Sequence, residues 1–410
     1  MSKLEELIQE LCPDGVETFP LEECCNILDK KRKPVTKNSR EKGEYPYYGA
    51  NGVQDYVSDY IFNGKFVLVG EDGSVITKSG TPVVTWAEGK IWVNNHAHVI
   101  EEKSGTMLRY LYFYIQTIDV TSLIHGNIPK LTGRDFRSLK IALPPLEIQR
   151  EIVSILDNFT ELTAELTAEL TARKTQYTYY RDKLLANSYK GEIKQLEECC
   201  DSIADGDHQA PPKADSGVPF ITISDIDERH EINLNVTKYV PDEYYNRLAD
   251  KRRPQKGDVL YTVVGSYGIP VYISENKRFV FQRHIAILRP NNAVIDSRYL
   301  YHAMNGTAFH RQADLAAKGA AQKTIGLASL AKMTVPVPPL DVQNRIVNVL
   351  DNFEKICSDL NIGLPAEIEA RQKQYEYYRD KLLTFAETGN TILNGTERNG
   401  TCLLYTSRCV

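Results

Sequence analysis

The chain has 410 residues, enough for two or three domains with sizeable cores. Its 49 basic and 54 acidic residues leave a formal net charge of −5, which neither requires nor excludes nucleic acid, because the local field at a docking face decides that. No apolar run approaches the ~20 residues of a membrane span, so a cytoplasmic protein that contacts no membrane is expected.

The opening MSKLEELIQELCPDG reads as a charged amphipathic helix at 3–11 ended by Pro13 and Gly15, not as a signal peptide. Vicinal cysteines Cys24-Cys25, and later Cys199-Cys200, lack the C-x-x-C spacing of zinc or redox sites and read as reduced, buried thiols. A basic, turn-rich loop follows, DKKRKPVTKNSREK at 29–42, carrying Lys30, Lys31, Arg32, Lys33, Lys37 and Arg40 ahead of Tyr47, Tyr48 and Asn51. Such a mixture can neutralise phosphates and reach base edges, or simply be solvated surface. Runs such as FVLV at 66–69 and WVNNHAHVI at 92–100 predict strands, with His96 and His98 alternating on the second. MLRYLYFYIQT at 107–117 predicts a helix.

Pro144-Pro145 then set the entry to a long helix, with Glu147 and Glu151 near its positive end. Ile148, Ile152, Ile155, Phe159, Leu162 and Leu166 follow one another at heptad steps. The tetrads of TELTAELTAELTA at 160–172 extend that seam to Leu170.

From here the chain repeats itself. PPLEIQREIVSILDNF at 144–159 returns as PPLDVQNRIVNVLDNF at 338–353, and YYRDKLL at 179–185 returns at 377–383. LEECC recurs, FVLVGEDG at 66–73 is answered by LYTVVGSYG at 260–268, and WVNNHAHVI by FQRHIAIL, aligning His96 with His284. The order of these landmarks is kept while the sequences between them differ, which is a tandem duplication of a whole domain plus a long helix. The second half has FITI at 220–223 and VLYTVV at 259–264 as strands and SRYLYHAMN at 297–305 as a helix. Its second seam runs Val342, Ile346, Val349, Phe353, Ile356, Leu360, and Gly363-Leu364-Pro365 predicts a break or kink. Two matching seams in one chain most simply pair with each other. The terminal helix at 3–11 is expected near the second long helix.

Catalytic signatures are missing. There is no glycine-rich cofactor loop with a [DN]-P-P-[YF] tetrad and no G-x-x-x-x-G-K-[ST]. Asp242 with Glu275-Asn276-Lys277 is the nearest nuclease-like pattern, and the first half has no counterpart. His96 and His98 lack further local ligands for a metal, so the His96–His284 match points to a shared structural or DNA-facing role.

The PPLxxQxxIVxxLDNF runs, the TAEL tetrads, the RxKQYxYYRDKLL ending and the ELCPDGV opening resemble the specificity subunit of type I restriction–modification enzymes, across residues 1–386. The resemblance implies an α+β fold: two tandem mixed α/β target-recognition domains separated by two long helices that form an antiparallel coiled coil, with pseudo-two-fold symmetry. The expected layout is a first domain with its terminal helix at 1–142, spacer helix 143–190, second domain 191–336, spacer helix 337–386 and a disordered tail 387–410. Back-translation of CLLYTSRCV at 402–410 fits a sequencing-adapter scar, which puts the natural end at or beyond Thr388.

The resemblance further implies a non-catalytic chain that reads double-stranded DNA, each domain one half of a bipartite site. It also implies two modification (methyltransferase) subunits and restriction (nuclease and translocase) subunits as partners. No cofactor or metal is expected on this chain; S-adenosylmethionine, ATP and Mg belong to the partners. In the first domain the basic loop residues named above, with Tyr47, Tyr48, Asn51 and His96, are the candidate DNA contacts. In the second they are His208, Gln209, Arg252, Arg253, Ser266, Tyr267, Arg283 and His284. Ile148, Ile152, Phe159, Leu162, Leu166, Leu170, Ile346, Phe353 and Leu360 are the candidate coiled-coil and partner contacts. A self-contained DNA-modifying enzyme and a coiled-coil scaffold without a DNA role are the rival readings.

Overall fold

The structure is a computed structural model that describes residues 3–73, 75–187, 192–206, 211–227, 229–320, 322–358 and 363–388. The chain divides into two compact units, Met1–Ala164 with Ala370–Val410, and Glu165–Glu369. The predicted long helix is continuous over Leu146–Asn187. Its second copy is broken, as Gly363-Leu364-Pro365 predicts, into Leu340–Ser358 and Leu364–Thr388. Among the described residues no helix is long and apolar enough to cross a membrane. The expected contact of Leu360, and the expected tail and adapter scar beyond Thr388, lie outside the described residues.

Each unit takes in a sheet domain, the start of the helix that follows it, and the end of the other long helix. This explains the repeated heptapeptide. Leu383 is buried in the first unit's core with Tyr110, Ile148 and Ile152, while Leu185 is buried in the second unit's core with Val259, Tyr299 and Ile346. The final leucine of each YYRDKLL thus closes the core of a domain encoded elsewhere in the chain. Leu4 of the amino-terminal helix Lys3–Leu11 shares Leu383's core, and Lys3 pairs with Glu151 at 2.6 Å.

The first unit is built on a six-stranded sheet in the order Asn26–Ile27, Ala97–Glu101, Phe62–Gly70, Val84–Val93, Lys42–Gly49, Gly52–Val57. All neighbours run antiparallel except Tyr47-Tyr48 beside Trp92-Val93. The predicted helix is found at Leu108–Ile115, with six of its eight residues buried. The second unit carries a four-stranded sheet, Cys200–Asp205, Ile285–Pro290, Val259–Thr262, Pro270–Tyr272, and a three-stranded one, Tyr239–Val240, Val218–Ile221, Val280–Phe281. In both units a short two-stranded ribbon joins the domain's entry to its exit, Thr18–Pro20 with Lys140–Ala142 and Glu192–Gln195 with Thr334–Val337.

Two expectations need correction. WVNNHAHVI is not one strand: Val84–Val93 ends, Asn94 to His96 turn, and Ala97–Glu101 continues on the other side of the same strand, Phe62–Gly70, antiparallel to it as Val84–Val93 is. The Asn94 side chain accepts the His96 backbone N–H at 2.8 Å and makes the turn, leaving His96 exposed and His98 1% exposed. FQRHIAIL breaks at the equivalent place, between Val280–Phe281 and Ile285–Pro290. The second seam is also displaced. Ile346 is buried, but Val349 and Ile356 are each 42% exposed, and Leu350 and Cys357 are buried in their stead. The helix must face its own sheet domain as well as another helix, and that turns the buried stripe by one position. In the first helix Ile148, Ile152 and Leu166 are buried, while Phe159, Leu162 and Leu170 are half-buried.

Within the second unit Tyr180 stacks on Phe353 at 5.9 Å, and Cys357 lies within the field of Lys174 and Arg173, so these helices run antiparallel. In the first unit Phe159 stacks on Tyr378. The vicinal thiols are free, and burial, the larger cause, raises Cys24 to about 11 and Cys25 to about 12.

Candidate nucleic-acid interface

Three backbone hydrogen bonds assemble the candidate site of the first unit. Beyond strand Phe62–Gly70, the Glu71 N–H donates to the His96 carbonyl at 2.8 Å, and the Glu71 carbonyl accepts from Leu131 N–H at 2.9 Å. Gly73 N–H donates to the Pro129 carbonyl at 2.9 Å. They bring together the strand-end loop, the turn before Ala97–Glu101, and a hairpin arm formed by Ile124–His125 and Lys130–Leu131. A cleft of about 500 Å³ results, lined by Asn51, Gln54, Asp72, His96, Ile128 and Lys130 among others. Asn51 comes from the two-residue turn closed by the Gly49–Gly52 pair. The Gln54 amide lies close over Gly49, 2.1 Å from where a Cβ there would stand. The His96 ring is hydrogen-bonded to Asp72, and Lys130 lies 3.3 Å from Glu71.

The second unit repeats the junction bond for bond. Val263 N–H donates to the His284 carbonyl at 2.8 Å, Ile325 N–H to the Val263 carbonyl at 2.8 Å, and Gly265 N–H to the Lys323 carbonyl at 2.9 Å. The aligned histidines therefore hold one structural position. Ser266 and Arg283 are exposed, His284 is half-buried, and Tyr267 donates to Asp314 at 2.9 Å. His208 and Gln209 lie outside the described residues.

The basic residues divide into two groups. Arg32 is held by Glu71 at 2.6 Å, the Ala97 carbonyl at 2.7 Å and the Asn95 carbonyl at 3.4 Å, with only 12% of its side chain exposed. Arg40 sits 4.1 Å over the Tyr47 ring and pairs with Asp55, and Tyr47 itself is 1% exposed. These three are committed within the fold and do not present free recognition groups. Tyr48 is half-buried, and its hydroxyl pKa is raised by burial first and by Tyr56 second. Lys30, Lys31, Lys33 and Lys37 remain exposed, on a loop that the Arg32 anchor fastens beside His96. Arg252 lies 3.6 Å from Asp205, and Arg253 donates to the Asn246 carbonyl. Asp242 is bonded to Arg278, and Glu275 lies 3.7 Å from Lys277, so the nuclease-like pattern is a pair of surface salt bridges.

Among the described residues two His–carboxylate clusters are close enough to hold a metal: Asp29, Glu71 and His98, and His302, Asp351 and Glu354. A guanidinium already occupies each, Arg32 in the first and Arg298 in the second. Burial acts to raise Asp29, but His98, the Val99 N–H and Arg32 hold it below its ordinary value. These are internal ion networks: the first fixes the basic loop beside the cleft, and the second joins helix Ser297–Met304 to helix Leu340–Ser358.

Gln149 and Gln343 hold the same place in the two copies of the repeat, which by itself names no role for them. Both are fully buried. Gln149 accepts from Met107 N–H at 2.8 Å and donates to the Gly105 and Pro144 carbonyls. Gln343 accepts from Asp296 N–H at 2.7 Å and donates to the Val294 and Pro338 carbonyls. Arg109–Asp157 and Arg298–Asp351 add a matching salt bridge in each unit. Each sheet domain is thereby clamped to the start of the helix that follows it. Gln54, Ile128, Lys130 and Gln322 belong to no motif, and only the folded chain brings them to the junction.

The family model described as the type I restriction modification DNA specificity domain matches this chain twice, over residues 13–173 and 190–370. The chain belongs to that family. It is 35% identical over 399 residues to a putative type I restriction enzyme specificity subunit of Haemophilus influenzae, covering 93% of this chain and 98% of that protein. It is 34% identical over 311 residues to the EcoR124I/EcoR124II specificity subunit of Escherichia coli, covering 69% and 72%. The fold resembles the crystal structure of an S subunit from M. genitalium, with a TM-score of 0.54 at 14% identity over 90% of this chain and 97% of that one. The chain is thus a DNA sequence-specificity subunit of a type I restriction–modification system, the non-catalytic part of a complex with modification and restriction subunits. Its family carries no catalytic cofactor on this subunit. That excludes the self-contained enzyme and the scaffold.

Proposed function

We propose that the two units read the two halves of a bipartite duplex site, one half each, through the surfaces built on the repeated three-bond junction. The observation that carries this is the junction itself: the backbone scaffold is the same in both units, and apart from the aligned histidines the side chains displayed on it differ. In the first unit the display is Asn51, Gln54, His96, Ile128 and Lys130, rimmed by exposed lysines. In the second it is Ser266, Arg283, His284 and Gln322. Exposed cations hold phosphates and set register, while amide, imidazole and apolar groups discriminate bases.

The long helices set the spacing between half-sites, and two methyltransferase subunits dock on them. The exposure of Val349 and Ile356, a heptad apart on Leu340–Ser358, supports this, because an apolar pair at that spacing suits a partner helix. S-adenosylmethionine, ATP and Mg then act on the partner subunits. Replacing residues 15–142 by another family domain, in complex with the modification subunit, tests the reading. Methylome sequencing should show one half-site changed and the other kept. A change in both halves, or in neither, sinks it.

A further inference from the structure

The hairpin arm at the junction shows where the two units differ in chemistry. Gly73 N–H meets the Pro129 carbonyl in one unit, and Gly265 N–H meets the Lys323 carbonyl in the other, so Ile128 and Gln322 occupy equivalent positions one residue before. Ile128 is 68% exposed, the most exposed of the large apolar side chains described in its unit. Its backbone is held on both sides, by the turn at Gly126 (φ 86°) and by the Asp72–Lys130 bridge beyond Pro129. An isoleucine presented so rigidly to solvent, beside the amides of Asn51 and Gln54 and a lysine-bearing loop, is arranged to meet an apolar group on a polyanion. In the major groove of DNA that group is the 5-methyl of thymine. The Gln322 amide nitrogen lies 3.4 Å from where a Cβ on Gly265 would stand, next to exposed Ser266. A glutamine at such an edge matches the donor–acceptor pair of adenine.

We propose that the tip of this arm is a specificity-determining position in each unit, with Ile128 packing on a thymine methyl in one half-site and Gln322 pairing with an adenine edge in the other. The inference rests on the reading that each unit binds one half-site, and it adds which base chemistry each arm selects.

The test uses the chain assembled with its modification subunit, on duplexes carrying the methylated site. Each thymine of the first unit's half-site is replaced in turn by deoxyuridine, which removes only the methyl. One replacement should weaken binding about fourfold, the effect of un-burying roughly one methyl-sized group. Ile128→Ala should bind more weakly and lose its sensitivity to that same replacement. Gln322→Leu should relax the methylome at one adenine of the other half-site and leave the first unchanged. The inference is overturned if no uridine replacement matters, if Ile128→Ala keeps the full methyl effect, or if the first half-site holds no A·T pair. It is also overturned if Ile128→Ala weakens binding equally with and without the methyl, since that marks a wedge between base steps. These failures are separable from failure of the half-site reading, which the exchange of residues 15–142 reports by itself.

Discussion

Replacing the fully buried Gln149 by leucine removes three hydrogen bonds from the junction of domain and helix. The Met107 N–H (2.8 Å) and the Pro144 carbonyl (2.8 Å) lose their closest side-chain partner, and the Gly105 carbonyl loses a longer one at 3.1 Å. Leaving a buried polar group unsatisfied costs ~1–3 kcal/mol. Carbonyls tolerate it better than N–H groups, so the sum should fall near ~2–4 kcal/mol. That is a large part of the ~5–15 kcal/mol by which a domain is stable. Urea unfolding of the full chain should show the loss as a lower midpoint. Hydrogen exchange should locate it, with the Met107 amide losing protection before distant core amides such as Val67. Gln343→Leu should do the same to Asp296 in the second unit, leaving Met107 unaffected. A cost below ~1 kcal/mol with Met107 still protected would refute the reasoning, because the domain–helix junction would then not depend on this side chain.

Three further outcomes are expected. Inserting one TAEL tetrad after Leu170 lengthens the continuous helix by ~6 Å and rotates it by roughly 40°, so the spacer between half-sites should grow by about one to two base pairs with the half-sites unchanged; methylome sequencing reads this, and an unaltered spacer in an active complex would show the helix is not the measure. Lys33→Glu should lower the salt slope of DNA binding by about one, as a lost phosphate contact does, whereas Arg32→Glu puts a carboxylate against Glu71 and Asp29 and should instead destabilise the first unit by ~3–5 kcal/mol; equal effects of both on slope and stability would contradict the division of the loop. Burial acts to raise Asp351, but His302 and Arg298 hold it below its ordinary value, so its stabilising contribution is present above the unfolded carboxylate value of ~3.9 and is lost as pH falls through the lower folded one. The stability gap between the native chain and Asp351→Asn should accordingly shrink from pH 5 downward, and a gap that widens there would reverse the sign.

What the sequence determined alone is what short-range pattern encodes. The duplication, the helix at 3–11, the long helix after Pro144-Pro145 and the break near Pro365 depend on residues close together in the chain, and the structure places all of them as read. The family followed from those same runs. Pattern could not reveal that WVNNHAHVI splits into two strands on opposite sides of Phe62–Gly70, since periodicity looks alike in one strand or in two joined by an asparagine turn. It could not tell Arg32 from Lys33: neighbours in the basic loop, they differ only because Glu71 and the Asn95 and Ala97 carbonyls meet one and not the other. Nor could it show that Val349 faces out while Leu350 faces in, or that Gln149 is a clamp and not a surface residue. Each of those depends on groups 39 to 65 residues away or on which side of a helix a sheet covers. Charge pairing and burial are settled between distant segments only when the chain is folded, and so the tertiary structure alone decided which of the legible residues are held within the fold and which stay exposed.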